Sequence, residues 1–247
     1  MVPGMHLEWF TWSIILLLIW GIVRYRLRSP EIRRSMLVVS AWTSLFALTE
    51  PLFVPAYWDP PSLFDLAQLT GFDIESFIFS FAIGGIGYAL YMAVFPVGHE
   101  PAVPPDERVT GRHKYHLPLL LSTPVIFVIL LAGARMNPIW AAIIALVAGA
   151  LATWYCRPDL KKKMLTSAGL FLALYFAYFL TLIALFPGYV GRVWNPAALS
   201  GIFIAGVPVE ELCFAFAFGL YWSTTYEHFM WKKVPEKFLP SLPIPEK

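Results

Sequence analysis

Charge is the first thing this sequence is short of. Asp, Glu, Lys and Arg make up 14% of its 247 residues, where a soluble domain carries roughly 25%. A chain so poor in charge cannot clothe a water-facing surface, which excludes a soluble enzyme, a nucleic-acid binder and a disordered segment. Cysteine is scarce too. Cys156 and Cys213 are the only two, so a disulfide framework is excluded by count, and no cysteine pair or quartet has metal spacing. There is no Gly-rich phosphate loop, no dinucleotide fingerprint, no HExxH and no His-rich set. An Asp-rich diphosphate–magnesium motif is also missing. These absences argue against nucleotide-bound redox chemistry, against prenyl-diphosphate transfer and against a resident metal. They leave a redox-neutral, cofactor-free, carboxylate-driven reaction on a lipid-soluble substrate. What is present in abundance is apolar surface: 58% hydrophobic and 17% aromatic residues, with a mean hydropathy of +0.65. The composition is that of an integral membrane protein.

Stretches of about 17 to 25 apolar residues cross the hydrocarbon core as helices. Seven are expected, over roughly 8–25, 36–56, 73–95, 117–134, 137–155, 164–186 and 207–230. The first is followed by Arg24, Arg26 and Arg28 with no small-residue cleavage site, and reads as a retained span. Of the 18 basic residues, all but Arg135 and Arg192 fall after spans one, three, five and seven. That asymmetry predicts an external N-terminus and a cytoplasmic C-terminus in a multi-pass cell-membrane protein. A net charge of +2 is too small to imply a polyanionic partner. The proline-bearing tail from Pro235 to Lys247 is expected to be unstructured. Retinal chemistry would need a lysine in the last span, and none lies between Val207 and Met230.

An internal repeat organises the spans. Pro30-Glu31-Ile32-Arg33-Arg34-Ser35-Met36 recurs as Pro158-Asp159-Leu160-Lys161-Lys162-Lys163-Met164. Pro51, Val54, Trp58, Pro60 and Leu63 recur as Pro187, Val190, Trp194, Pro196 and Leu199. Glu75, Phe79, Phe81, Ala82 and Gly84 recur as Glu210, Phe214, Phe216, Ala217 and Gly219. The offset moves from 128 to 136 and then to 135, so span six or its outer end should be about two turns longer than span two. The expected architecture is all-α: seven transmembrane helices, built from two parallel three-helix units and a linker helix. The units are 1–100 and 137–230, the linker with span four is 101–136, and 231–247 is a cytoplasmic tail.

Ionisable groups inside spans are the default functional candidates, because each costs about 2.5–3.5 kcal/mol near the bilayer centre. Glu50 lies near the outer end of span two, Asp73 and Glu75 open span three, and Glu210 and Glu211 open span seven. All five are expected at one depth. Helical spacing sets Phe79 and Ala82 beside Glu75, and Cys213, Phe214 and Ala217 beside Glu210. A carboxyl facing such a slot suits proton transfer to a hydrocarbon, since aromatic faces stabilise a cation without attacking it. Phe79, Phe81, Phe214, Phe216, Trp58 and Trp194 are the substrate-binding candidates. An acid in the first turn also serves simply as a partner for the helix dipole. Trp58 and Trp194 read first as interfacial anchors, and His99 and His228 as surface residues at the cytoplasmic ends.

Pro208-Val209-Glu210-Glu211, followed by Phe214 and preceded by Trp194-Asn195-Pro196, resembles the Pro-x-Glu-(Glu/Asp) signature of the membrane-embedded lycopene cyclase domain. That family occurs as two small subunits or as two fused copies, and the resemblance covers essentially the whole chain. The first copy departs from the signature. Asp73-Ile74-Glu75-Ser76 lacks the proline and the second acid, so its catalytic role, and the cyclisation of one or both substrate ends, stay open. The resemblance implies lycopene β-cyclase-like activity of an isomerase kind, without flavin or any other cofactor, on a carotenoid dissolved in the bilayer. A carboxylic acid protonates a ψ end group, the neighbouring double bond closes a six-membered ring, and a carboxylate removes a proton. Glu210 is the expected acid, with Glu75 or Glu211 as base. The alternatives are a carotenoid hydratase, another membrane terpene cyclase, or a non-catalytic carotenoid-binding or assembly subunit. Expected partners beyond the substrate are membrane lipids and a second copy or other carotenoid-pathway enzymes, with no nucleic acid.

Overall fold

The structure is a computed structural model that describes residues 7–235. Its helices are α1 (Glu8–Arg26), α2 (Pro30–Ser44), the short α3 (Leu66–Thr70), α4 (Ile74–Val94), α5 (His116–Val128), α6 (Pro138–Cys156), α7 (Lys161–Leu185), the short α8 (Tyr189–Val193) and α9 (Val209–Phe229). Their starts are written in short polar residues. Ser29 accepts the Ile32 N–H ahead of Pro30, Asp73 accepts the Ser76 N–H at 2.5 Å, and Asn137 accepts the Ile139 N–H ahead of Pro138. Each bond satisfies an amide that the first helical turn leaves unpaired.

Among the described residues, six helical stretches are long and apolar enough to cross a membrane: Glu8–Arg26, Pro30–Leu52, Ile74–Val94, Gly111–Gly133, Pro138–Cys156 and Pro158–Leu185. The seventh expected span is present as a helix, α9, but it is too polar to join them. Glu210, Glu211 and Glu227 and a Tyr–Trp–Ser–Thr run occupy it, and about half of its residues are buried against neighbouring helices. The stretch Pro158–Leu185 covers 28 residues against 23 for Pro30–Leu52. The difference is smaller than eight because α2 carries on as a 3-10 helix, Leu45–Leu52, around Pro51.

The helices pack as α4 against α1 and α2, α9 against α6 and α7, and α4 against α9 at the centre. Close approach depends on two glycines at corresponding positions. A side chain at Gly84 would strike Thr43 of α2, and one at Gly219 would strike Phe171 and the Ser167 carbonyl of α7. Small residues at such contacts are what let membrane helices meet. The fourth long helix, α5, packs mainly on α6 and has no buried residue.

The connectors that follow α2 and α7 meet at one end of the bundle. Trp58 and Trp194 form an isolated antiparallel bridge. The Asp59 N–H donates to the Val193 carbonyl and the Asn195 N–H to the Tyr57 carbonyl, both at 2.9 Å. An offset of 136 turns each of these bonds into the other. Beyond the bridge, Phe203–Ile204 pairs with Val207–Pro208 across a tight turn. Ala205 and Gly206 both have positive φ there, 50° and 84°, as a two-residue hairpin turn requires. At the opposite end, Glu100–Pro101 pairs with Lys232–Lys233. The tail beyond Pro235 lies outside the described residues.

Candidate active site

Between the bridged connectors and the helices lies a cavity of about 530 Å³, within the range of small-ligand sites. Its wall is aromatic, with Trp9 and Trp12 from α1, Phe79 from α4, and Phe214 and Phe218 from α9. Trp9 contacts Trp58 edge-on at 4.8 Å between centroids, and Trp12 stacks on Tyr178 at 4.4 Å. Two carboxyl groups interrupt this wall, Glu50 and Glu211.

Glu211 is held by three donors from three elements. The Tyr57 hydroxyl and the Trp194 indole N–H donate to Oε1 at 2.7 and 2.9 Å, and the Tyr175 hydroxyl donates to Oε2 at 2.8 Å. Hydrogen bonds to a charged acceptor contribute about 1.5–3 kcal/mol each, so the set fixes the carboxyl rigidly. Burial, reinforced by the facing carboxylate, pushes the Tyr57 hydroxyl far above its ordinary value. It therefore stays protonated and keeps donating. Glu50 stands differently. It is buried, and its Oε1 has no hydrogen-bond partner among the described residues. It sits where the 3-10 segment turns away from α2.

The other three expected acids are close by but bonded elsewhere. Glu75 Oε1 accepts the Leu63 N–H at 2.7 Å, and Glu210 Oε1 accepts the Ser200 N–H at 2.5 Å. Each thereby ties its helix start to the preceding connector. Neither lines the cavity, and Asp73 caps α4 through Ser76. The cavity face of α4 is Ser76, Phe79, Ser80 and Ile83, and that of α9 is Glu211, Phe214, Phe218, Tyr221 and Trp222. Both faces are turned by one residue from those that Glu75 and Glu210 define, and one residue is about 100° of helix rotation.

Among the expected binding residues, Phe79, Phe214, Trp58 and Trp194 line the cavity. Phe81 and Phe216 do not. Phe81 packs on Trp20, and Phe216 is 42% exposed, because a step of two along a helix turns a side chain to the far face. Trp194 is only 3% exposed and bonds Glu211, which is more than an anchor's part. Tyr57, Tyr175, Trp9 and Trp12 had not been expected. A tyrosine inside an apolar run was the available signal, since its hydroxyl needs a partner when buried.

The opposite end of the bundle is polar and also buried. Glu227 accepts from Lys163 at 2.5 Å and lies 2.9 Å from His99 Nε2. Arg157 is bidentate on Asp159 at 2.9 and 2.7 Å and donates to the Glu227 and Lys232 carbonyls. Glu31 pairs with Lys232, whose ammonium it pushes upward from its usual value. His228 is fully buried and the His99 side chain is 1% exposed. The expectation of surface histidines is therefore corrected. Residues of a helix end are drawn inside here because Lys163, Arg157 and Glu227 must be paired once sequestered.

Fold and cavity together define a class: a helical membrane protein with carboxyl groups set in an aromatic-lined chamber. Residues 137–229 match the family model for lycopene cyclase. This stretch, running through α6, α7, α8 and α9 and carrying Tyr175, Trp194, Glu210 and Glu211, is similar to a lycopene cyclase domain, and the match supports a carotenoid cyclase-like role. Residues 1–136 lie outside the match. No curated protein and no solved structure matches the chain.

Proposed function

We propose that the chain is a cofactor-independent cyclase of the ψ end group of a linear carotenoid, an isomerase that works by acid–base chemistry at Glu50 and Glu211. The observation that carries this is the pairing of two unlike carboxyl groups in one aromatic cavity, one with its Oε1 unpartnered among the described residues and one held by three donors.

Glu50, whose Oε1 is free, hands a proton to the terminal alkene of the end group. The resulting tertiary cation is attacked by the neighbouring double bond, closing a six-membered ring and moving the charge into it. The faces of Trp9, Trp58, Phe79 and Phe214 line the space where that charge develops, and an aromatic face attracts a cation by about 0.5–2 kcal/mol. Glu211 faces the same space as an acceptor fixed in place, and takes the proton that leaves the ring. One proton enters and one leaves, so substrate and product share one formula and nothing is oxidised. Returning a proton from Glu211 to Glu50 resets the pair. In this reading Glu75 and Glu210 are positioning residues that hold the connectors over the cavity.

The same reading treats the chain as two units related by a pseudo-twofold along the membrane normal, 1–100 and 137–230. The interchangeable bonds at the Trp58–Trp194 bridge and the matched glycines support it. Glu211 corresponds in this repeat to Ser76, so the cavity is asymmetric and serves one end group at a time. The distribution of basic residues supports a carboxylate end that faces outward.

Expression in cells that accumulate lycopene, with chromatography of the pigments, tests the function. Cyclised products from the wild-type chain, lost with Glu211→Gln, are expected. Hydroxylated acyclic products would make it a hydratase, and unchanged lycopene a carrier.

A further inference from the structure

At the end of the bundle away from the cavity, three helices bring together side chains that the cyclase reading does not use. His116 opens α5, Cys156 closes α6, and His228 lies in the last turn of α9. One ligand atom from each lies within 4.8 Å of the others. His113, one turn before His116, joins them: Cys156 Sγ is 3.8 Å from both His113 Nδ1 and His116 Nδ1.

These separations have a scale to be judged against. Zinc binds thiolate sulfur at about 2.3 Å and imidazole nitrogen at about 2.0–2.1 Å, so the ligand atoms of a tetrahedral site stand roughly 3.3–3.6 Å apart. The two Cys156–imidazole separations are within a few tenths of an ångström of that geometry, and the His116, Cys156 and His228 atoms, within 4.8 Å of one another, need side-chain rotation to reach it. A second observation points the same way. His228 is fully buried, its Nδ1 lies 3.2 Å from Thr153 Oγ1, and its Nε2 has no partner among the described residues. A ring oriented through one nitrogen with the other left free is how metal-binding histidines are held. Trp231 stacks on His116 at 3.9 Å and closes the cluster on one side. Arg157 is adjacent in sequence, but its guanidinium is engaged by Asp159.

We propose that His113, His116, Cys156 and His228 form a tetrahedral transition-metal site of the zinc type, which staples α5 to α6 and α9. The purpose is visible in the packing. α5 supplies Leu120, Thr123, Pro124 and Phe127 to the cavity wall, yet none of its residues is buried. Of the long helices it is the one least held by apolar contact. A metal at its first turn anchors the wall at the end remote from the chemistry, and the reaction needs no electron or ligand from it.

The test uses the full chain in detergent, carried on a histidine-free tag, stripped with a chelator and titrated with Co(II). A saturable thiolate-to-cobalt charge-transfer band with intense tetrahedral bands is expected at one equivalent, displaced by Zn(II). Cys156→Ser should remove the charge-transfer band and Cys213→Ser should keep it, while His228→Ala should weaken Co(II) binding about tenfold or more. Zn(II) should slow hydrogen exchange in 116–128 of the wild-type chain. Absence of a tetrahedral spectrum in wild type overturns the site outright, whether or not the variants fold. A band that survives Cys156→Ser, or one that depends on Cys213, also overturns it. No carotenoid enters the experiment, so its result is independent of the cyclase reading.

Discussion

The two glutamates at the start of α9 have different partners, although they are neighbours in sequence. Glu210 turns toward the connector and accepts the Ser200 N–H, and Glu211 turns into the cavity and accepts three side-chain donors. Spacing alone could not choose between them. Phe214 is four residues from one and three from the other, and both separations put side chains on one helix face. The sequence therefore showed that acids and aromatics meet at this helix start, and the one-residue rotation became visible only with the partners in place. Glu211→Gln should lower ring formation by about 100-fold or more, the scale of a lost acid–base group, and Glu50→Gln should be of the same order. Glu210→Gln should be milder, and pigment chromatography at matched expression checks the ranking. Tyr175→Phe leaves Glu211 Oε2 with one donor fewer and should cost about 1–3 kcal/mol, measured as a lower Tm in detergent.

At the scale of elements, helix positions were legible because long apolar runs punctuated by Ser29-Pro30, Asp73 and Asn137-Pro138 leave little freedom. The end of span two was not. Pro51 removes a donor and tightens the last eight residues into a 3-10 helix, which sets Glu50 at the cavity, and an offset change between repeats says only that lengths differ. Helix approach also rests on absent side chains. Gly219→Val would press into Phe171 and the Ser167 carbonyl, an overpacking worth about 1–3 kcal/mol. Gly169→Ala on α7 meets nothing within 4 Å and should be neutral or slightly stabilising, since alanine favours the helix by about 0.8–1.0 kcal/mol. Thermal denaturation of the two variants in one detergent separates them, and equal losses would contradict the close contact of α7 and α9.

For the whole molecule, the alternation of basic loops predicts an orientation that labelling can test. Ser62 is buried and bonded to the start of α3, so Gln68 and Ser200, both exposed, are the better reporters of the carboxylate end. Gln68→Cys and Ser200→Cys should react with an impermeant reagent in intact cells. Reaction only after permeabilisation would place the carboxylates at the inner face. The cluster around Cys156 shows what a linear reading misses. Its members come from three places in the chain, His113 and His116, Cys156, and His228, separated by 40 residues and more, so no single spacing rule joins them.

The central claim is that a protein carboxyl starts the reaction by protonating a hydrocarbon, and deuterium tests it most directly. Detergent-solubilised protein, freed of flavin and nicotinamide and kept anaerobic, is given lycopene in heavy water. Each ring formed should gain one deuterium, at the ring carbon derived from the protonated alkene terminus, and the label should persist because the departing proton leaves from another carbon. Rings formed without deuterium at that carbon, or an absolute need for added reduced nucleotide, would contradict it.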